Sequence, residues 1–300
     1  MYDCCVVNLR TDEKILTPDE VVQAAQIACL IEVSASKPGN VSRLYDFRDM
    51  RLEDFLLSAA AIGPAIRQAG QVSVGETILR AIQDTKRLVQ ANTNLGIVLL
   101  LAPLARAAMG PGSGTLRERL SVVLSELTVN DARLAYRAIR LASPGGLGRV
   151  ERGDVWAEPD VTLRQAMALA ADRDAVAREY VTDYAITFEQ TVPVLYDCLH
   201  TCPSVTDATV QTALTLLTRV PDTLIVRKLG WDAAVEVSRQ AGEVLRQGGV
   251  LTERGRASLA RFDSSLRDAT NKLNPGTTAD LVTTALFVLL LEYGLSVLLS

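Results

Sequence analysis

The stretch LVTTALFVLLLEYGLSVLL, Leu281 to Leu299, decides what kind of fold this chain has. Its length suits a membrane-spanning helix, which needs about 20 predominantly apolar residues. Its chemistry does not. Glu292 interrupts the run, Thr283 and Thr284 dilute it, and no basic residues flank its C-terminal end. A helix at the centre of an all-helical protein is apolar all round for another reason: every face meets another helix. The stretch is therefore read as a buried core helix with no membrane partner. The chain is read as all-α, a single large multi-helix domain around that apolar C-terminal helix.

Upstream segments supply the surrounding helices. Thr17-Pro18-Asp19-Glu20 is a helix start, with Thr17 as cap, Pro18 in the first turn and Glu20 completing a capping box. Val21, Ala24, Ala25, Ala28 and Ile31 then recur at helical spacing. Ser36-Lys37-Pro38-Gly39 ends the helix, because proline disfavours helix for the residue before it. Further helices are expected over 52–67 (stopped or kinked at Gly63-Pro64), over 74–90, and behind Asn92-Thr93-Asn94. MGPGSGT, Met109 to Thr115, is the clearest linker. A helix over 129–142 ends at SPGGLG, Ser143 to Gly148, and a polar loop follows over 151–159. Helices are then expected over 163–169, 175–199, 207–217, 222–247, 252–268 and 277–299. No stretch combines period-two alternation with hairpin turns, so no strand is expected. Residues 1–16 are read as an N-terminal tail and 17–300 as the all-helical catalytic domain.

Composition narrows the function classes. A hydrophobic share of 48% is ample for a core. The net charge of −4 speaks against a general nucleic-acid binder, which shows a basic face. It leaves room for ATP, because a local pocket can be basic on an acidic protein. Five cysteines in 300 residues are not a disulfide framework. Cys4 and Cys5 are expected to be free. Cys198, His200 and Cys202 stand close together, but a metal site needs more ligands and the chain has no other histidine. The single histidine also speaks against a Ser-His-Asp or Cys-His nucleophile. No basic n-region precedes an apolar run at the start, so no signal peptide is expected and the default location is cytoplasmic.

Four segments carry candidate chemistry. Glu32 stands near the end of the first helix, followed by the turn Lys37-Pro38-Gly39-Asn40 and by Arg43. The turn offers a cation and approachable amides, and Arg43 a bidentate phosphate grip; a plain helix-to-loop turn explains it equally. Asp46, Asp49 and Glu53 are spaced three and four apart and would share a face if helical. A face of bare carboxylates calls for a cation such as Mg²⁺, or is an ordinary acidic helix start. Asn92-Thr93-Asn94-Leu95-Gly96 and Asn274-Pro275-Gly276-Thr277-Thr278-Ala279-Asp280 open apolar helices with small polar groups, as anion sites do and as simple caps do. Asp222 with Arg227 and Lys228 joins an acid to two cations within two turns. SPGGLG follows no strand and matches no phosphate-loop or dinucleotide fingerprint.

In order, EVSASKPGNVSR (Glu32–Arg43), DFRDMRLEDFLLSAAAI (Asp46–Ile62), NTNLG (Asn92–Gly96), PDTLIVRKLG (Pro221–Gly230) and LNPGTTADLV (Leu273–Val282) resemble one family. It is the triphosphoribosyl-dephospho-CoA synthases, which serve citrate lyase and malonate decarboxylase. Each segment is weak alone; the ordered set spans Glu32 to Leu299. The resemblance implies a reaction that breaks the bond between adenine and ribose in ATP. C1 of the triphosphoribosyl unit passes to a ribose hydroxyl of dephospho-CoA, and adenine leaves. Such chemistry asks for magnesium on the triphosphate, negative charge near an oxocarbenium-like centre and a carboxylate base.

On that resemblance Asp46, Asp49, Asp222 and Asp280 are the metal candidates. Glu32 is the candidate base or stabiliser of the cationic centre, and Asp49 doubles as a catalytic candidate. Lys37, Arg43, Arg227 and Lys228 would hold phosphates, and Gly39, Asn40, Thr93, Gly96 and Gly276 would line the substrate. Asn92, Asn94, Asn274 and Thr277 would fix ribose or phosphate oxygens. There are departures. Citrate-lyase members carry His-Lys where this chain has Asn94-Leu95, and Thr-Pro-Lys-Pro-Gly where it has Ala35-Ser36-Lys37-Pro38-Gly39. Asp46-Phe47 and SPGGLG are closer to a branch found in archaea and in bacteria with methanopterin-linked C1 metabolism. The acceptor is thus dephospho-CoA or a pterin precursor. A non-catalytic nucleotide-binding protein is the reading from another class. The long apolar helices would also suit a homodimer.

Overall fold

The computed structural model describes residues 15–145, 148, 154–268 and 270–298. The tail assigned to 1–16 lies mostly outside them, as do Cys4, Cys5 and part of SPGGLG. Among the described residues there is no strand, only an isolated bridge between Ser42 and Tyr45.

The helices are α1 (Pro18–Ser34), α2 (Leu52–Ala61), α3 (Gly63–Arg67), α4 (Val74–Leu88) and α5 (Leu95–Met109). Then come α6 (Leu116–Ser125), α7 (Val129–Ala142), α8 (Leu163–Ala168), α9 (Ala175–Val181) and a π-helix (Ile186–Thr191). The chain continues through α10 (Val192–Thr201), α11 (Val205–Arg219), α12 (Thr223–Leu229), α13 (Trp231–Arg246), α14 (Glu253–Leu266) and α15 (Gly276–Tyr293). The Thr17–Glu20 capping box forms as expected.

Helix α15 is the axis. It is buried without interruption from Leu281 to Glu292 and packs on α1, α5, α10, α11 and the π-helix. Its two central threonines fit because each hydroxyl donates to its own helix, Thr283 to Ala279 O at 3.0 Å and Thr284 to Asp280 O at 2.8 Å. No polar group is then stranded in the core.

Two expected helices are broken. The run over 175–199 divides at Asp183 and Tyr184, both left-handed with φ 49° and 58°. The Glu179 carboxylate bridges the break, accepting from Ile186 N–H at 3.0 Å and Thr187 N–H at 2.7 Å. The run over 222–247 divides at Gly230, whose φ of 90° no other residue adopts as easily.

The interior has two apolar clusters. The larger joins α1, α4, α5, α7, α10 and α15. The smaller joins α11, α12, α13 and α14 and takes in Ala35 from the end of α1. The C-terminal end of α1 therefore stands at the seam between them. Glu32, Asp222 and Asp280 gather there.

Candidate active site

At the seam, Glu32 and Lys37 are paired and buried, 4% and 1% exposed. Lys37 Nζ lies 2.8 Å from Glu32 Oε1, donates to Ala35 O at 3.1 Å and also donates to Glu32 O. All three ammonium donors are spent inside the fold. Lys37 is thus the counter-ion of Glu32, whereas the sequence suggested a phosphate grip. The turn after it is locked from outside. Gly39 has φ +72°, and a Cβ there would lie 3.0 Å from Leu266 and 3.1 Å from Pro275. Its N–H donates to Asp263 Oδ1 at 2.8 Å, and Arg267 holds Asn40 O at 2.9 Å. Arg43 is exposed.

The acidic segment does not form the helix face that its spacing would allow. Residues 46–51 are irregular and α2 starts at Leu52. Asp46 Oδ1 accepts from Leu52 N–H at 2.9 Å, so Asp46 works as a turn cap at the mouth of α2. Asp49 is exposed, and Lys228 feels its charge.

The Asn92–Gly96 segment turns its polar groups into the protein. Asn92 Oδ1 accepts from Leu95 N–H at 3.2 Å. Thr93 Oγ1 meets Ser58 Oγ at 2.5 Å, and Asn94 Nδ2 donates to Thr85 Oγ1 at 3.0 Å. These three pin the start of α5 in place. Gly96 does something different: it leaves room for Asp280. A Cβ at Gly96 would lie 2.0 Å from Asp280 Oδ2.

Asp222 is fully engaged. Oδ1 accepts from Leu224 and Ile225 N–H at 2.9 and 3.2 Å, which caps α12. Oδ2 accepts from Thr278 N–H at 2.7 Å and Thr278 Oγ1 at 2.8 Å, which ties α12 to the start of α15. Thr223 Oγ1 donates to Thr277 Oγ1 at 3.2 Å across the same junction. Four donors fill both carboxylate oxygens, so Asp222 is a clamp, with no lone pair left for a metal. Burial nonetheless pushes its carboxyl up.

Asp280 is the opposite case. Among the described residues no hydrogen bond or ion pair reaches its carboxyl. Burial raises it well above the usual carboxylate range; Glu32, Asp222 and Asp174 add to the rise, and Arg227 opposes it. A bare carboxyl among three other acids, with one guanidinium in range, is a site that a cation would stabilise. Asp174 belongs to none of the candidate segments and caps α9; only the fold brings it here. Lys228 Nζ reaches Asn271 O at 3.5 Å, and burial, then Arg227, lowers its pKa. Asn274 Oδ1 is buried with no partner, and a Cβ on Gly276 would come within 3.0 Å of it.

The described residues hold no group of three or more metal-binding side chains in ligating range. The set Asp46, Asp49, Asp222 and Asp280 is not assembled as one site, since Asp46 and Asp222 serve as caps. Cys198, His200 and Cys202 form no centre either. His200 Nδ1 lies 2.7 Å from Tyr196 O, and its ring packs on Tyr196 at 4.5 Å.

The sequence model of the family described as ATP:dephospho-CoA triphosphoribosyl transferase matches residues 18–297. The chain belongs to that family. A crystal structure of a candidate triphosphoribosyl-dephospho-CoA synthase from Archaeoglobus fulgidus has the same fold, with a TM-score of 0.61 and 27% identity. The match covers 79% of this chain and 99% of that one. No curated protein matches the chain in sequence. As a member of the triphosphoribosyl transferase family the chain is a transferase working with ATP and dephospho-CoA. The match runs from α1 to beyond α15, so it includes every segment that meets at the seam.

Proposed function

We propose that the chain moves the triphosphoribosyl unit of ATP onto a ribose hydroxyl of dephospho-CoA in a magnesium-dependent reaction centred on Asp280. The bond between C1 of the ribose and the adenine nitrogen breaks. A bond from C1 to the acceptor oxygen forms, the hydroxyl loses its proton, and adenine leaves carrying one. The observation that carries the reading is the bare, half-buried Asp280 carboxyl against Gly96, beside Glu32 and Asp222.

The bare Asp280 carboxyl supports a magnesium ion of the substrate-bridged kind, which takes one or two carboxylates and completes its shell with phosphates and water. Asp280 and Asp49 would hold it, and it would neutralise the triphosphate. Arg227, Lys228 and Arg43 supply the cations for the remaining phosphate charge. Glu32, fixed by Lys37, places a negative charge at the seam, where an oxocarbenium-like centre gains from it. Asn274, with an unpartnered buried oxygen, is available to accept from a ribose hydroxyl.

Incubation of the protein with ATP, Mg²⁺ and dephospho-CoA, followed by mass analysis, tests this. Free adenine and a product heavier by one triphosphoribosyl unit are expected. Intact ATP after hours with a folded protein would sink the reading.

A further inference from the structure

Arg227 meets a hydrogen-bond acceptor and an ion-pair partner from separate parts of the chain. Its Nη1 lies 3.5 Å from Asp174 Oδ2, and its Nε donates to Gly145 O at 3.2 Å. Asp174 is itself fixed, because its Oδ1 accepts from Val176 and Ala177 N–H at 2.9 and 3.2 Å as the cap of α9. Gly145 belongs to the turn that ends α7, where Ser143 is left-handed with φ 49°. A guanidinium is planar, so the hydrogen bond at Nε together with the charge attraction at Nη1 orients its plane. Among the described residues no acceptor takes Nη2. Asp280 lies within range of the Arg227 charge. The pair is about 30% exposed on both sides, 30% for Arg227 and 31% for Asp174. Ion pairs that open to solvent add little to stability, and the cap of α9 would be served as well by Asn or Ser, so folding gives little reason for a charge at position 174.

We propose that Asp174 is a positioning residue: with the Gly145 carbonyl it sets the plane of the Arg227 guanidinium so that the free Nη2 edge grips the triphosphate of ATP. The inference rests on the triphosphoribosyl-transfer reading and assigns a role to the first residues of SPGGLG as well. Phosphate oxygens take paired N–H bonds from an arginine only when the fork faces them. An unpinned Arg227 keeps its charge and loses that geometry.

Asp174→Asn is the test variant, because asparagine caps a helix as well as aspartate does while the negative charge that faces Arg227 is removed. Asp174→Ser, also a good cap, is the second variant in case the first folds poorly. Inorganic tripolyphosphate is the binding probe, read by calorimetry, and steady-state kinetics with ATP run beside it. Both variants should weaken tripolyphosphate binding and raise KM for ATP by about tenfold with kcat nearly unchanged. Arg227→Lys should do the same, and the double variant should be no weaker than Arg227→Lys alone, since no plane is left to set. Unchanged or tighter tripolyphosphate binding in the Asp174 variants overturns the proposal, as do penalties that simply multiply. If the wild type releases adenine and these couplings are absent, only the role of Asp174 falls. If the wild type releases no adenine, the transfer reading falls, and the tripolyphosphate data still judge Asp174.

Discussion

The Asp280 carboxylate occupies the space that a side chain on residue 96 would need. A Cβ on Gly96 would lie 2.0 Å from Asp280 Oδ2 and 2.5 Å from its Cγ. The glycine at the start of α5 and the acid one turn into α15 are therefore one device: the missing side chain lets the carboxyl stand in the seam.

Gly96→Ala should displace Asp280 or the first turn of α5. Overpacking of this kind costs about 1–3 kcal/mol, and a misplaced group at the chemistry costs about a hundredfold in rate. Adenine release and a urea midpoint, measured on the same preparation, separate the two effects. Wild-type turnover in Gly96→Ala would remove Asp280 from the reaction.

Lys37→Met should be strongly destabilising. It leaves Glu32 buried without its counter-ion, a loss of about 3–5 kcal/mol for one partner of a buried pair. Adding Glu32→Gln should recover part of that loss, although it should not restore turnover. A Lys37→Met protein as stable as the wild type would show that the ammonium is not committed to Glu32.

Glu179 should make stability fall as pH rises. Burial raises its carboxyl from 4.5 to about 7, against the pull of the Thr187 and Ile186 donors and the Arg117 charge. A folded-state value above the unfolded one means that the folded protein binds the proton more tightly. The related stability is fully present below about pH 4.5 and is lost as pH rises through about 7. The swing is on the order of 3 kcal/mol. Denaturation midpoints at pH 5 and pH 8 should differ in that direction, and Glu179→Gln should flatten the difference. A slope of opposite sign in the wild type that Glu179→Gln removes would contradict the account.

Pro103 and Tyr180 form a matched pair. Proline inside α5 has no N–H for the carbonyl four residues back, Leu99. Tyr180 Oη fills the gap by donating to Leu99 O at 2.6 Å. Tyr180→Phe should cost about 1–3 kcal/mol by leaving that buried carbonyl unpaired. In a Pro103→Ala background, where the helix can supply the missing N–H, the cost should shrink. Equal costs in both backgrounds would mean that the hydroxyl is not needed there.

The fold was largely readable in the sequence. Leu281–Leu299 announced a core helix because its interruptions were ones a helix can satisfy internally, as Thr283 and Thr284 do. The break at Asp183 and Tyr184 was not readable, because tyrosine does not favour the left-handed region and the group that holds the turn, Glu179, sits inside the preceding helix. The order of the site segments along the chain pointed to the family. The direction of each side chain did not follow from it. Asp222 became a clamp because Thr278, 56 residues away, takes up its second oxygen. Lys37 turned inward because Glu32 is one turn behind it on a helix end that proline forces to stop. Asp174 entered the seam only through tertiary packing.

The proposed role of Asp280 is to stand at the reacting centre of a triphosphoribosyl transfer. Its most direct test is adenine release from ATP with dephospho-CoA, measured across a Mg²⁺ titration for the wild type and for Asp280→Asn. Mg²⁺-dependent adenine release by the wild type is expected, with a loss of at least about a hundredfold in the variant and the fold intact. Equal rates and equal Mg²⁺ dependence in the two proteins would contradict it.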